Sequence, residues 1–262
     1  MMATIIKKGD ATLSAPSASQ LVEHLKAKHQ FLCDKAEENE RLGKLHEDVV
    51  ALLRDLNVHL MLVPKELGGL GFGAAEAISV IEQIAYSDPG AGWVAMVFTV
   101  GTGMTAGLLP QSGAQKIFGS GTDNVVCGSG SPGGRAVRVP GGYKVSGKWS
   151  FGSGIQHANW HHSGALLYED GKPKLDENGN PQVMVINGQT KNLRFLGNWD
   201  VLGLRATGSI DYSTEDEFIP EDLVFLFQQP KADQENFFFQ IGVTGVAAIG
   251  HSGWAAGAGR RM

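Results

Sequence analysis

The hydrophobic pattern changes its period once, at Gly119–Asn124, and this constrains the fold more than any other feature of the chain. Before that point, apolar residues recur near the helical period of 3.6. Leu21, Val22, Leu25 and Leu32 follow the candidate caps Ser17 and Ser19. Val49, Val50, Leu52, Leu53 and Leu56 make a second stripe, stopped by Val63 and Pro64 and a turn at Gly68–Gly71. Ala77, Ile78, Ile81 and Ile84 mark a third helix, and 111–118 a short later one. After the switch come short β-type runs at 125–127, 135–139, 143–146, 164–168, 183–186, 193–195 and 213–219. Turn signals separate them, notably Pro140–Gly142 and Glu177–Asn180. From Asn236 the helical period returns through Phe237, Ile241, Val246, Ile249 and Trp254. The expected fold is α+β and multidomain. It has a helical domain over 1–121, an antiparallel β-barrel or sandwich over 122–232, and the start of a further helical domain over 233–262.

Pro89–Gln115 contains no charged residue. Its length would suit a membrane span or a buried central helix. The glycines within it and the globular flanks favour the central helix, with Gly103 and Gly107 at a close approach. Net charge is −5 without a basic block, which argues against a nucleic-acid partner. The two cysteines, Cys33 and Cys127, fit a reducing cytoplasm better than a disulfide framework. No apolar leader follows the first lysines, so neither a secretory signal nor a membrane location is expected.

Tyr143–Trp160 reads YKVSGKWSFGSGIQHANW. Strand alternation would put Trp149, Phe151 and Ser153 on one face. Two aromatics and a hydroxyl together suit a flat aromatic ligand. Gly128, Gly130 and Gly133 match G-x-G-x-x-G literally, but a strand-like Arg135–Val139 follows where a dinucleotide fold requires a helix. The bare backbone of Cys127, Gly128, Ser129, Gly130 and Ser131 can still meet the polar edge of a ring system. His157, His161 and His162 lack a cysteine or carboxylate cluster beside them. They read as surface or pocket-rim histidines rather than a metal site, with His157 a candidate at the ligand edge. Arg205, in the glycine-flanked Gly203–Ser209, could form a surface ion pair, order its loop or reach a ligand anion.

The blocks VPKELGGLG (Val63–Gly71), SPGG (Ser131–Gly134), GYKVSGKWSFGSG (Gly142–Gly154), LGLRATGS (Leu202–Ser209) and FIPEDLVF (Phe218–Phe225) occur in order. Together they resemble the acyl-CoA dehydrogenase superfamily. The Phe-Gly-Ser-Gly…His…Trp pattern is closest to its two-component flavin-dependent monooxygenases. The resemblance implies an oxidoreductase using FAD or FMN, a flavin reductase partner, a small aromatic substrate and a homo-oligomer, tetrameric in the full-length family. It implies that Trp149 and Phe151 pack the flavin ring, that Ser153 meets its N5 edge, and that 127–131 and Arg205 complete the cofactor site. Ser153 and His157 are the implied catalytic residues. The chain departs from the dehydrogenases, which carry Thr-Glu-Pro where it has Gly130, Ser131 and Pro132. It also departs from those monooxygenases that carry a histidine in the helical domain, since Val100–Gly103 offers only Gly and Thr between its ends. The alternatives are α,β-dehydrogenation of an acyl-CoA by FAD, and a non-catalytic binding or packing module. The resemblance further implies a longer C-terminal helical domain, so weak flavin binding and no turnover are expected of this chain.

Overall fold

The computed structural model describes residues 15–227 and 240–262. The leader expectation for the first residues and the helical start at 236–239 therefore lie outside the described residues, as does the expected boundary at 232.

Helix α1 (Ala18–Ala27) begins at Ser17. The Ser17 hydroxyl accepts from the Gln20 amide at 3.3 Å, and the Gln20 side chain accepts from the Ser17 amide at 2.8 Å. This reciprocal pairing satisfies two otherwise orphaned donors. The chain breaks at Lys28 and resumes as α2 (His29–Leu42), so Leu25 and Leu32 belong to two helices rather than one. Helix α3 (Glu47–Asp55) follows. Helices α4 (Ala74–Ser87) and α5 (Pro89–Leu108) meet at Asp88, whose carboxylate caps α5 through the Gly90 amide at 2.8 Å. Asp88 also accepts from the Asn39 side chain at 3.0 Å, and burial pushes its carboxyl up.

Helix α5 is long and apolar enough to cross a membrane, yet 89% of its most apolar window is buried within the fold. It is the central helix. At Gly92 a Cβ would lie 2.5 Å from the Ala85 side chain of α4. At Gly103 it would lie 2.5 Å from Leu62, so that close approach is to a loop residue and not to another helix. Helix α6 (Gln111–Phe118) closes the helical part.

The described residues form eight strands, β1 (Val126–Val139), β2 (Gly142–Gly152), β3 (Trp160–Glu169), β4 (Lys172–Pro173), β5 (Val183–Gln189), β6 (Arg194–Phe195), β7 (Ile210–Pro220) and β8 (Val224–Leu226). They form one sheet in the order β6-β7-β2-β1-β3-β5-β8, with β4 beside β3. The antiparallel expectation holds for every pair except β1–β3, which is parallel. The glycine run is not a loop between two strands. It lies within β1, whose register against β3 shifts between Ser129 and Gly134. Strand continues on either side of it, so the helix that a dinucleotide site needs is missing at this point.

Those glycines have a packing reason. Trp149 is 1% exposed, stacks on Tyr212 with ring centres 5.4 Å apart, and donates its indole N–H to the Gly164 carbonyl at 2.7 Å. A Cβ would come within 2.9 Å of this indole at Gly133, 2.5 Å at Gly134 and 2.7 Å at Gly147. The three glycines are the floor on which the indole lies. The final helix, α7 (Gly242–Arg261), docks on α4 and α5. Trp254 donates to the Pro89 carbonyl at 2.9 Å, and Arg260 pairs with Glu82 at 2.7 Å.

Replacing Gly134 by Ala forces a methyl into the Trp149 ring. Overpacking of this kind costs about 1–3 kcal/mol. We expect Gly134→Ala to lower the urea midpoint by a corresponding amount, while Gly203→Ala, with open space around it and no positive φ, leaves it nearly unchanged. Equal effects at the two positions would remove the packing explanation.

Candidate functional site

Two sequence runs far apart in the chain are joined by a chain of hydroxyls. The Thr207 hydroxyl lies 2.8 Å from the Leu204 carbonyl and 2.7 Å from the Ser209 hydroxyl. Ser209 lies 2.6 Å from the Ser153 hydroxyl, which also accepts from the Trp93 indole N–H at 3.0 Å. Proton directions follow from the ends. A carbonyl only accepts, so Thr207 donates to Leu204. Thr207 then has no hydrogen left for Ser209, so Ser209 donates to Thr207 and Ser153 donates to Ser209. An indole N–H only donates, which agrees with Trp93 at the other end. Ser153 keeps one free lone pair and no free hydrogen.

The expected shared face of Trp149, Phe151 and Ser153 does not form. Between Trp149 and Gly152 the register against β7 slips, because Trp149 faces Tyr212 and Gly152 faces Ile210. Phe151 takes φ +63° at this irregularity, a strained value for a bulky residue. Trp149 consequently turns into the sheet interior while Phe151 is 68% exposed, edge-on to Trp199 at 6.1 Å. Ser153, 7% exposed, is brought back toward α5 by the turn that follows, in which its amide donates to the Phe151 carbonyl at 2.8 Å.

Cys127 is fully buried with its thiol pushed up by burial, is paired with His161 of β3, and does not line the cavity described next. Gly128, Gly130, Ser131 and Pro132 line a cavity of about 420 Å³ between the sheet, α5 and α7. Ser129 donates its amide to the buried Tyr212 hydroxyl at 2.9 Å. The Arg205 side chain is 44% exposed and pairs with Asp200 at 3.2 Å, a surface ion pair within its own loop. Its turn is instead held by Glu40, which accepts from the Arg205 and Ala206 amides at 3.0 and 3.1 Å.

The three histidines go to three environments. His157 sits on the 3₁₀ turn Ile155–His157, its Nε2 buried and without a hydrogen-bond partner, and it does not line the cavity. His161 and His162 are not rim residues, being 0% and 9% exposed. His161 faces the sheet interior, 2.9 Å from the Ser163 hydroxyl and 3.5 Å from the Glu217 carboxylate. His162, next along β3, faces the cavity. Among the described residues no group of three or more His, Cys, Asp or Glu could hold a metal ion. Sequence spacing could not reveal Trp93 or Glu217, since each meets its partner across more than 50 residues.

Residues 23–116 match the family model described as the acyl-CoA dehydrogenase N-terminal domain. Over these residues the chain carries the N-terminal domain of the acyl-CoA dehydrogenase superfamily. It is 31% identical over 204 residues to a pigment production hydroxylase of Rhodococcus erythropolis, covering 77% of this chain and 51% of that protein. It is 29% identical over 207 residues to the flavin-dependent monooxygenase oxygenase subunit HsaA of Rhodococcus jostii, covering 79% and 52%. The chain thus spans about half the length of the curated relatives it matches. The fold is shared with XiaF from a Streptomyces species, solved with FADH2 and glycerol, at a TM-score of 0.81 and 24% identity over 93% of this chain and 61% of that one.

In this chain burial holds three imidazoles low. His59, His157 and His162 are each brought down to about 4, chiefly by burial. Above pH 6.5 they are neutral folded or unfolded and contribute nothing to pH dependence. As pH falls from about 6.5 towards 4 the unfolded chain takes up their protons first, so stability drops by up to roughly 3 kcal/mol for each. We expect the urea midpoint to fall across this window, and His157→Gln to flatten the fall relative to the parent. Parallel pH profiles for the two proteins would contradict the burial of His157 as a neutral ring.

Proposed function

We propose that this chain serves a flavin-dependent monooxygenase that acts on an uncharged aromatic substrate, with reduced FAD or FMN delivered by a flavin reductase. The observation that carries the reading is the direction of the hydroxyl chain. Ser153 can accept a hydrogen bond from a ligand and has no hydrogen to give one. A reduced flavin carries N5–H and suits this acceptor; an oxidised flavin presents a bare N5 and does not. The names of the relatives support the same reading, whereas α,β-dehydrogenation rests on the family model alone.

The residues present fit a flavin in part. Phe151 is an exposed aromatic ring held in a strained backbone conformation beside Ser153, and such strain is kept where surroundings or function require it. In this reading Phe151 packs on the ring system, Ser153 meets its N5 edge, and the backbone of Gly128–Ser131 meets a polar edge. Trp149 supports the strand from beneath and does not touch the cofactor. Bound reduced flavin would supply the dioxygen chemistry. The chain's own task is to orient the ring, exclude water and keep the hydroxyl protons pointing one way. His157 remains a candidate only as a half-buried imidazole on the turn after Ser153, its Nε2 buried. A cytoplasmic homo-oligomer suits this role.

Thr207 tests the reading without touching the ligand. Thr207→Val keeps the shape and removes the acceptor for Ser209, which can then donate to Ser153 and release the Ser153 hydrogen. Titration with oxidised and with dithionite-reduced FMN and FAD should show tighter binding of the reduced form. Thr207→Val should narrow that preference about three- to tenfold, the worth of one hydrogen bond. Consumption of NADH with a flavin reductase and phenols would support the oxygenase reading, and dye reduction by acyl-CoA the dehydrogenase. A parent protein indifferent to flavin redox state would end the proposal.

A further inference from the structure

The cavity between the sheet, α5 and α7 is lined largely by apolar groups, including Met96, Val100, Met104, Val185 and Phe225. No Lys, Arg, Asp or Glu lies among its described lining residues. Its volume of about 420 Å³ falls in the small-molecule range. A charged ligand would lose its hydration here and gain no counter-charge from these described residues. A flat, uncharged, mostly apolar ligand would lose little.

Among the described wall residues one buried polar side chain lacks a hydrogen bond. His162 is 9% exposed and its Nδ1 is buried without a partner. Such an orphaned group costs about 1–3 kcal/mol, and a native site that retains one calls for an explanation. By contrast Thr105, also in the wall, donates to the Asn187 side chain at 2.9 Å, and His251 reaches the Ala247 carbonyl of its own helix at 2.7 Å. The His162 ring is also held firmly. Gly101 of α5 passes so close that a Cβ there would sit 3.0 Å from His162 Cε1 and 3.2 Å from Nδ1. Its backbone is pinned by β1, where a Cβ at Gly128 would lie 1.9 Å from the His162 carbonyl oxygen. Burial, and then the neighbouring His161, keep the ring neutral down to about pH 4. Nδ1 itself is closed off against Gly101, so the ring meets the cavity through Nε2; with no partner to fix the proton on Nδ1, Nε2 can donate or accept and so can serve a hydroxyl or a ring N–H.

We propose that His162 is the specificity-determining residue of this cavity, hydrogen-bonding the hydroxyl or ring N–H of a flat, uncharged aromatic ligand. This deepens the reading given under the proposed function and rests on it for the word substrate, but binding can be measured without flavin. A site built around an unpaired polar group rejects the analogue that lacks the matching group more strongly than it rejects a change of size.

The matched probes are 2-naphthol and 2-methylnaphthalene, which differ by a hydroxyl against a methyl. With the full chain and no flavin, calorimetry should show 2-naphthol bound about tenfold more tightly, the worth of one buried hydrogen bond. His162→Leu should abolish the preference by weakening 2-naphthol alone, and His162→Gln should retain part of it. Should His162→Leu fail to fold, ring-¹⁵N spectra of the unaltered protein decide, since 2-naphthol should shift the His162 nitrogens and 2-methylnaphthalene should not. Equal affinity for the two probes, binding of neither, or a preference that survives in His162→Leu would overturn the assignment. A parallel flavin titration separates the two ideas. Redox-selective flavin binding with no naphthol preference sinks His162 alone, and a naphthol preference with no flavin binding sinks the oxygenase reading alone.

Discussion

At two points β1 and β3 approach more closely than any side chain permits. A Cβ at Gly128 would overlap the His162 carbonyl at 1.9 Å, and one at Gly164 would overlap the Gly130 carbonyl at 2.2 Å. This parallel contact fixes what each face of β3 presents, because successive side chains alternate. His161 and Ser163 fall inside the sheet with Tyr212, whose hydroxyl lies 2.9 Å from Ser163 and accepts the Ser129 amide. His162 falls on the other face, against α5. A one-residue slip would exchange the two imidazoles, placing the one beside Glu217 in the cavity and the cavity ring inside the sheet. The glycines are therefore register devices first. Any service to a ligand is a consequence of the bare backbone they leave.

The fold was largely legible in the sequence, and the reason is periodicity. Helices α3 to α6 and the hairpin of β1 and β2 lie where the apolar spacing and turn residues predict. The misses have local causes. The break at Lys28 carries no glycine or proline, so nothing in the pattern separates α1 from α2. Alternation fails at Phe151 because a register slip inserts an extra residue, and a slip is a property of two paired strands rather than of one. The parallel β1–β3 pairing is likewise a tertiary fact.

The candidate site was legible in its runs and not in its connections. Ser153 and the Arg205–Ser209 run were both singled out, yet what joins them is Ser209 and Thr207 rather than Arg205. Arginine draws attention by its charge, but an exposed charge with Asp200 at hand has a cheap partner in its own loop. Two hydroxyls and an indole, individually unremarkable in composition, acquire meaning only when their donors and acceptors are counted around a closed set of contacts.

Trp93 ties these parts together. Its N–H anchors the hydroxyl chain at Ser153, while its ring meets His251 at 5.4 Å and Trp254 at 4.9 Å, both edge-on and both on α7. Helix α7 in turn supplies Val243, Thr244, Ala247 and His251 to the cavity wall. It approaches by backbone closeness: a Cβ at Gly250 would sit 2.6 Å from Val100, and one at Gly257 would sit 2.2 Å from the Glu82 carbonyl. Such packing tolerates little displacement, because small residues gain their contacts only at short range. One indole thus touches the hydroxyl chain and the helix that walls the cavity. A shift of α7 that moved this ring would lengthen the hydrogen bond at Ser153 and reshape the cavity in the same motion, so the two halves of the site are held to a single geometry by one side chain.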